Sequence, residues 1–251
     1  MSPLNTLIKE DSLCVISDIH LGNPSFIQSK GFVSFLEHLS EQKTTLCING
    51  DGFDLLQISF PKLMLDLPSV LKNISDFISV SGNKVYYIIG NHDINLENFL
   101  EDANILNVVP FLDVVSGGRR IRIEHGHLYD RFFINHPVLY TEMTKFAGML
   151  LKLTPRIFHL YDKSTHYMAS LMKNKKNQPG DAPVDKRYYL DAVNGLFERG
   201  FDAVIFGHTH RPGLYKMDGD KRYANTGSWI GTKGYYIKIE NGDISLLQWK
   251  N

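Results

Sequence analysis

The sequence predicts an α/β fold, because short apolar strands alternate with helical patterns along most of the chain. Five runs rich in β-branched and aromatic residues, each followed directly by Gly, Asp or His, are predicted as core strands: Leu13–Ser17, Thr45–Asn49, Lys84–Ile89, Arg120–Glu124 and Val204–Phe206. Apolar residues recur at helical spacing after Ser25, a candidate N-cap, and again from Leu63 to Ile78, where Pro68 predicts a break. This alternation favours parallel strands at the centre of the fold.

The C-terminal tail has a different pattern, in which short apolar runs are separated by DGD and NGD turn signals. The runs predict antiparallel hairpins over Gly213–Met217, Lys221–Ala224, Tyr235–Ile239 and Ile244–Trp249. The sequence contains no internal repeat and no low-complexity tract. We therefore expect a single domain over residues 1–251.

The composition excludes several classes of protein. Of 251 residues, 43% are hydrophobic and 22% are charged, which is typical of a folded globular chain. Lys plus Arg and Asp plus Glu both number 27, so no net positive charge attracts nucleic acid, and such a partner is not expected. Cys14 and Cys47 lie in predicted strands as core thiols rather than in a disulfide framework. Without a signal-peptide pattern or an apolar run of about 18 residues, we expect a soluble, cytoplasmic protein.

Residues 131–200 are predicted to form a helical insertion, a lid or cap, between two core strands. Its apolar stripe recurs at i, i+3, i+4 and i+7 and consists of Val138, Leu139, Met143, Phe146, Met149, Leu150 and Leu153. Between Arg131 and Lys176, eight basic residues accompany two acidic ones. Two interpretations stay open: a hairpin packed on the core with a solvated basic face, or a cap that contacts an anionic amphiphile, including the surface of the inner membrane.

Residue types that bind metals follow each predicted core strand. In chain order, the segments are Asp18–His20, Gly50–Asp54, Gly90–Asp93, His125–His127 and Gly207–His210. Ligands of open α/β sheets bind beyond the carboxyl ends of the strands, so these loops are expected to converge on one crevice. In an extended segment residues i and i+2 point to the same side, roughly 6–7 Å apart. Such a histidine pair can serve two cations about 3.5–4 Å apart.

The ordered motifs D-x-H, G-D-G-x-x-D, G-N-H-D, H-G-H and G-H-T-H resemble the calcineurin-like metallophosphoesterase superfamily. The resemblance implies a two-layer β-sandwich flanked by helices, with a binuclear metal site. By motif position, one ion would bind Asp18, His20, Asp51 and His210, and the other would bind Asp51, Asn91, His125 and His208. His127 falls outside this set, and we expect it behind the ligands or facing the substrate.

A site of this type would hydrolyse phosphoric esters or anhydrides. Two divalent cations lower the pKa of a water and offset charge on the phosphoryl group in the transition state. His92 is not needed as a ligand if Asn91 is one, so we expect it to face the leaving oxygen as an acid or charge stabiliser. Asp54 would orient it, as the resemblance implies. Nitrogen and oxygen ligands without sulfur suit Mn²⁺, and Fe or Zn also fits.

Further features resemble the UDP-2,3-diacylglucosamine pyrophosphohydrolases: the SDIHLG start, the GHTHRP block, the chain length and the helical insertion. This resemblance implies a nucleotide–lipid substrate that is split into UMP and an acylated sugar phosphate. It also favours a phosphate contact by Arg211. Asn225 lies on the next predicted loop, where it would contact substrate phosphate, brace His210 or belong to a simple turn.

Two other functions stay open on the sequence. This chain carries His92, His127 and Asp54 where those enzymes commonly carry arginine, aspartate and glutamate, and His92 matches the general superfamily pattern. This difference favours a phosphodiesterase or phosphatase acting on soluble nucleotides or phosphoproteins. The third function is a scaffold that kept the fold and lost the chemistry, against which the intact ligand positions argue. Burial of the apolar stripe of the insertion would weaken the lipid interpretation, and an apolar channel beside the metals would favour it.

Overall fold

The computed structural model describes residues 6–42, 44–80, 83–99, 107–153 and 187–250. The strands are β1 (Leu7–Lys9), β2 (Ser12–Ile16), β3 (Thr45–Asn49), β4 (Val85–Ile88), β5 (Asn107–Val109), β6 (Leu112–Ser116), β7 (Arg119–Ile123), β8 (Ala203–Phe206), β9 (Gly213–Lys216), β10 (Arg222–Asn225), β11 (Gly234–Glu240) and β12 (Asp243–Trp249). The helices are α1 (Ser29–Gln42), α2 (Phe60–Asp66), α3 (Pro68–Ser79), α4 (Arg131–Asn135), α5 (Pro137–Leu153) and α6 (Arg187–Glu198), with short 3₁₀ helices at Ile94–Phe99 and His127–Tyr129.

The strands form two stacked sheets of six strands each. Sheet 1 has the order β12-β11-β2-β3-β4-β5, and sheet 2 has the order β1-β6-β7-β8-β10-β9. In sheet 1, β2 to β5 run parallel and β11 joins β2 antiparallel. In sheet 2, β7, β8 and β10 are parallel neighbours. The tail strands pair antiparallel as β9 with β10 and β11 with β12, which confirms the predicted hairpins.

Strand β2 shows how the apolar runs build the layers. Cys14 and Ile16 pack into the core between sheet 1 and the helices α1 and α3, whereas Leu13 and Val15 pack into the core between the two sheets. Because both faces of the strand are buried, its sequence is a continuous apolar run rather than an alternating one. A third core lies between α6 and sheet 2. The predicted two-layer sandwich flanked by helices is confirmed.

Most element predictions hold at the level of single residues. The five predicted core strands are confirmed to within one residue at each end. Pro68 begins α3 at its first position, where its missing N–H costs nothing, so the predicted break is also confirmed. The N-cap prediction is wrong, because α1 begins at Ser29 and Ser25 instead donates its amide and hydroxyl to Asn23 Oδ1. The sequence does not predict β1, β5 or β6.

The predicted insertion divides into two parts. Helix α6, which lies at the end of the predicted insertion over residues 131–200, packs Val193 and Leu196 against Val204 and Phe206 of sheet 2. Helices α4 and α5 form the described part of the cap. Residues 154–186, which contain most of the basic residues counted in the predicted insertion, lie outside the described residues.

The apolar stripe of α5 is exposed rather than buried. Five of its side chains are 50–75% exposed, namely Val138, Leu139, Met143, Phe146 and Met149. The predicted stripe also includes Leu150 and Leu153, whose side chains lie outside the described part of the structure. The opposite face of α5 contacts the sandwich, where Gln57 Nε2 donates to the Thr144 carbonyl oxygen at 3.4 Å. Of the helices that the structure describes, none combines the length and apolarity needed to cross a membrane.

Candidate metal centre

The loops that follow the core strands are joined by backbone hydrogen bonds. Asp18 N donates to Gly50 O at 3.1 Å, and His20 N donates to Asp51 O at 2.9 Å, so the loops after β2 and β3 run side by side. His208 N donates to Asp18 Oδ2 at 3.0 Å, which connects the loop after β8 in sheet 2 to sheet 1. The predicted convergence of loops from different strands on one crevice is therefore observed.

Five candidate ligands hold an unusual backbone conformation. The φ angles lie between 51° and 63° at Asp18, His20, Asp51, His208 and His210. In the described ranges, only Asn241, in the turn between β11 and β12, is another non-glycine residue with positive φ. Such conformations cost of the order of 1–3 kcal/mol each and persist only where the surroundings hold them. Their concentration here indicates a backbone bent to serve a site.

Two glycines at strand ends let the loops approach so closely. A Cβ atom at Gly90 would overlap Asp51, and one at Gly207 would overlap Ser17 and Asp18. The missing side chain is therefore a requirement for close approach of backbone to carboxylate. This explains why the chain places a glycine between each of these strands and its polar residues.

Asp18, His20 and His210 form the first group of candidate ligands. His210 Nε2 lies 3.1 Å from Asp18 Oδ1 and 3.4 Å from His20 Nε2. Asp18 Oδ1 is buried and has no hydrogen-bond partner, although it is within ion-pair distance of His210. Buried polar atoms are normally satisfied. An orphaned carboxylate oxygen that faces two ring nitrogens fits a cation bound among them.

Asp51, Asn91, His125 and His208 surround a second position. His125 donates from Nδ1 to the Asn49 carbonyl oxygen at 2.7 Å, so in the neutral ring Nε2 carries the lone pair. That Nε2 faces Asp51 Oδ2 at 3.3 Å and Asn91 Oδ1 at 3.2 Å. Ligand atoms of Asp51, His125 and His208 all lie within 4.8 Å of one another. Oxygen and nitrogen acceptors of these residues thus converge, and a cation bound among them would satisfy them together.

Asp51 lies between the two groups, as expected of a shared ligand. Its Oδ2 atom is 3.3 Å from His125 Nε2 and 3.9 Å from His20 Nε2. Burial alone would raise the pKa of Asp51, but His125 and His92 outweigh burial and hold it well below its usual range. Burial opposes charge on His125 too, yet Asp51 foremost raises the pKa of His125 to about 10. The buried carboxylates therefore favour positive charge at this position, which a divalent cation would supply.

His92 lies beside both groups and is paired with Asp54. Its Nδ1 is 2.9 Å from Asp54 Oδ1, and its backbone N–H donates to Asp51 Oδ1 at 2.8 Å. Burial lowers the pKa of His92, but Asp51 and Asp54 outweigh burial and raise the pKa to about 9. His20, Asp51 and His92 also bring ligand atoms within 4.8 Å of one another, so geometry alone admits His92 as a ligand as well as an acid.

The structure brings His127 close to the centre and leaves Arg211 at its margin. The ring of His127 is 7% exposed and lies 5.4 Å from the ring of His125. Burial, followed by the charge of His125, lowers the pKa of His127 to about 3, so it is neutral, and its Nδ1 has no hydrogen-bond partner. Arg211 is exposed next to His210.

Asn225 lies buried behind the loop that follows β8. It is fully buried, and its Nδ2 donates to Gly207 O at 2.8 Å and to Thr209 Oγ1 at 3.1 Å. Its Oδ1 accepts from Gly227 N at 3.0 Å. The side-chain amide thus braces the loop that carries His208 and His210, which is one of the roles that the sequence leaves open for Asn225.

Sequence reasoning missed Asp93, which ties two ligand loops together. Its Oδ1 accepts from Gly90 N at 2.7 Å, and its Oδ2 accepts from Gly52 N at 2.9 Å and from the Tyr87 hydroxyl. The last letter of the GNHD motif is its sequence signal. Asp130 and Tyr140, which contact candidate ligands from the cap, were also missed, and no local pattern marks them.

Comparison with known proteins agrees with this geometry. The model of the calcineurin-like phosphoesterase family matches residues 12–212. Relatives named UDP-2,3-diacylglucosamine hydrolase, from Blochmanniella pennsylvanica and Escherichia coli, are each 25% identical and cover 94% and 92% of this chain and 96% of their own. A solved hypothetical protein from Pyrococcus horikoshii is 12% identical, covers 97% of this chain and 88% of its own with a TM-score of 0.51, and shares the fold. Because the matched residues contain all five motifs and most of the chain, this protein belongs to the calcineurin-like phosphoesterase family and is a metal-dependent phosphoesterase.

Proposed function

We propose that this enzyme hydrolyses the pyrophosphate of a nucleotide–lipid such as UDP-2,3-diacylglucosamine and releases UMP and the lipid phosphate. The observation that carries the proposal is helix α5, which contacts the candidate metal centre with one face and exposes an apolar stripe on the other. Tyr140 of α5 hydrogen-bonds to Asn91 at 3.0 Å, and Met143 and Phe146 of the same helix are 55% and 58% exposed. A site that pairs phosphate chemistry with exposed apolar surface suits an amphiphile. The relatives named for this substrate support the same choice.

The chain contributes ligands, orientation and a proton. Divalent cations, which we propose to be Mn²⁺, would supply an acidified water and offset phosphoryl charge. We assign Asp51 to both positions, with Asp18, His20 and His210 completing one and Asn91, His125 and His208 completing the other. His92, oriented by Asp54 at Nδ1, would hold a proton at Nε2 and donate it to the leaving oxygen. His127 and Arg211 remain candidates for substrate contacts.

The exposed face of α5 also supports contact with a membrane. Exposed Leu, Met and Phe side chains on one helix suit the boundary between head groups and acyl chains, where a diacylated substrate resides. We propose that the protein works in the cytoplasm and binds the inner membrane peripherally through this face.

A comparison of two UDP-sugars tests the substrate. UDP-2,3-diacylglucosamine and UDP-N-acetylglucosamine share the nucleotide and the pyrophosphate but differ in their acyl chains. With Mn²⁺ present, we expect UMP and the diacylated sugar phosphate as products. We also expect kcat/KM for the lipid to be higher by about 100-fold, which corresponds to roughly 100 Å² of buried apolar surface. Equal kcat/KM values, or release of inorganic phosphate instead of UMP, would contradict the proposal.

The second candidate is hydrolysis of soluble nucleotide diesters. The His92–Asp54 pair supports it, because His92, at 2.9 Å from the buried Asp54 carboxylate, would act as a general acid on a leaving group without acyl chains. Efficient turnover of soluble diesters with no turnover of the diacylated substrate would select this function.

A further inference from the structure

The cap hairpin, defined here as Asp130 with helices α4 and α5, touches the metal centre at two points. Asp130 Oδ2 lies 3.3 Å from His208 Nε2, and Asn91 Nδ2 donates to the Tyr140 hydroxyl at 3.0 Å. Asn91 and His208 both belong to the second group of candidate ligands. Both contacts are therefore made to residues of the second group.

Asp130 links the start of a cap helix to a ligand. Its Oδ1 accepts from Phe132 N at 2.8 Å and caps α4, while its Oδ2 faces His208 Nε2. A carboxylate oxygen accepts in this contact, so the His208 proton lies on Nε2, which leaves the lone pair of Nδ1 for a cation. A carboxylate behind a metal-binding histidine fixes both the tautomer and the ring orientation.

Tyr140 accepts a hydrogen bond from the Asn91 amide in the orientation that presents Oδ1 to the second position. Because Nδ2 donates to Tyr140, Oδ1 is turned towards His125 Nε2 at 3.2 Å and towards the second position. The opposite rotamer would direct an NH₂ group at the cation. The Tyr140 ring packs edge-on against Phe133 of α4 with ring centroids 5.2 Å apart, so its position depends on how the two cap helices are seated.

We propose that Asp130 and Tyr140 are positioning residues that couple docking of the cap hairpin to cation binding at the second position. The inference rests on the proposed function in so far as both positions bind a metal. Coupling between two binding events is reciprocal. A cation at the second position therefore holds the cap hairpin down, and movement of the cap hairpin loosens Asn91 and His208 while the first group stays in place.

Titration of the metal-free protein with Mn²⁺ tests the coupling. Calorimetry and electron paramagnetic resonance should show two ions in the wild type. Asp130→Ala should weaken one of them by about 10–100-fold, and Tyr140→Phe should weaken the same one by about 2–10-fold. In both variants the other ion should bind with wild-type affinity. At intermediate Mn²⁺ concentrations the electron paramagnetic resonance spectrum of the variants should therefore be that of an isolated ion. Glu142→Gln, which removes an exposed carboxylate from the same helix, is the matched control and should change neither ion.

Hydrogen exchange measures whether Mn²⁺ stabilises the cap helices, which a purely local defect at one ligand would not change. Mn²⁺ should slow amide exchange in α4 and α5 of the wild type and of Glu142→Gln, and should slow it much less in Asp130→Ala and Tyr140→Phe. Wild-type affinity at both positions in the two variants, or equal weakening of both positions, would overturn the inference and leave the proposed function intact. A wild type that binds fewer than two ions would contradict the proposed function itself. If Asp130→Ala does not fold, Tyr140→Phe decides, because it removes a single oxygen atom.

Discussion

Individual side chains at this centre are held in place by neighbouring residues that hydrogen-bond to their loops. The strained backbone at His208 and His210 lies in a loop that Asn225 braces through Gly207 O. Asp93 performs the same task for the loops after β3 and β4. Such support is what lets a disfavoured conformation persist at a functional site.

His92→Gln tests the acid at the residue scale. We expect kcat to fall by about 10²–10⁴-fold, because proton donation to the leaving oxygen is lost. Asp54→Asn should lower kcat by a smaller factor. The His92 ring remains in this variant but loses the carboxylate that orients it and favours its charged form. Two Mn²⁺ ions should still bind to each variant, because Asn91 and Asp51 are unchanged. If His92→Gln instead lost a metal ion, His92 would be a ligand and not the acid.

The candidate metal ligands at the strand ends could be predicted from the sequence, whereas the residues that position these ligands could not. The i and i+2 spacing and the order of motifs lead directly to Asp18, Asp51 and His125. Asp130 and Tyr140 act on residues that are 78 and 49 positions away in the chain, respectively, so only the packing of the cap reveals them. The sequence leaves several roles open for Asn225, and only its burial, which is a tertiary property, favours bracing of the loop.

Among the elements, α5 departs most from an ordinary surface helix. Its periodicity predicts a helix correctly, but the same stripe would suit a buried face, and only the structure shows that Phe146 and Met149 are exposed. Strand β6 illustrates the opposite case. Its sequence LDVVS is short and contains Asp113, which pairs with Arg122 on the neighbouring strand, so its pattern is weak without that partner.

A double variant, Met143→Glu with Phe146→Glu, tests the exposed face of α5. Binding to vesicles of phosphatidylethanolamine and phosphatidylglycerol should weaken by at least about tenfold. The reason is that the two apolar side chains that the membrane would bury are replaced by charged ones. The midpoint of thermal unfolding should change little, since both side chains are exposed in the free protein.

Leu247→Glu on β12, which is also exposed, controls for the added charge and should retain vesicle binding. If wild type and double variant bound vesicles equally, the membrane contact through α5 would be rejected.

On the scale of the whole molecule, the centre depends on the stacking of the two sheets. Sheet 1 supplies Asp18, Asp51 and Asn91, and sheet 2 supplies His125 and His208. The five core strands and the strands of the tail hairpins follow from local patterns, and the family resemblance implies the sandwich. The distance of 3.2 Å between His125 and Asn91 across the two sheets is set by core packing and has no sequence signal of its own.

The most direct test is Mn²⁺-dependent hydrolysis of bis(p-nitrophenyl) phosphate by the wild type and by Asp51→Ala. Asp51 lies between both candidate positions, so its loss should remove both cations and lower the rate by about 10³-fold or more. Asp243→Ala, at an exposed position of the C-terminal hairpin, is the control and should keep the wild-type rate. We predict a rate that chelation abolishes, that Mn²⁺ restores and that Asp51→Ala lacks; equal rates for Asp51→Ala and the wild type would contradict a two-metal centre built around Asp51.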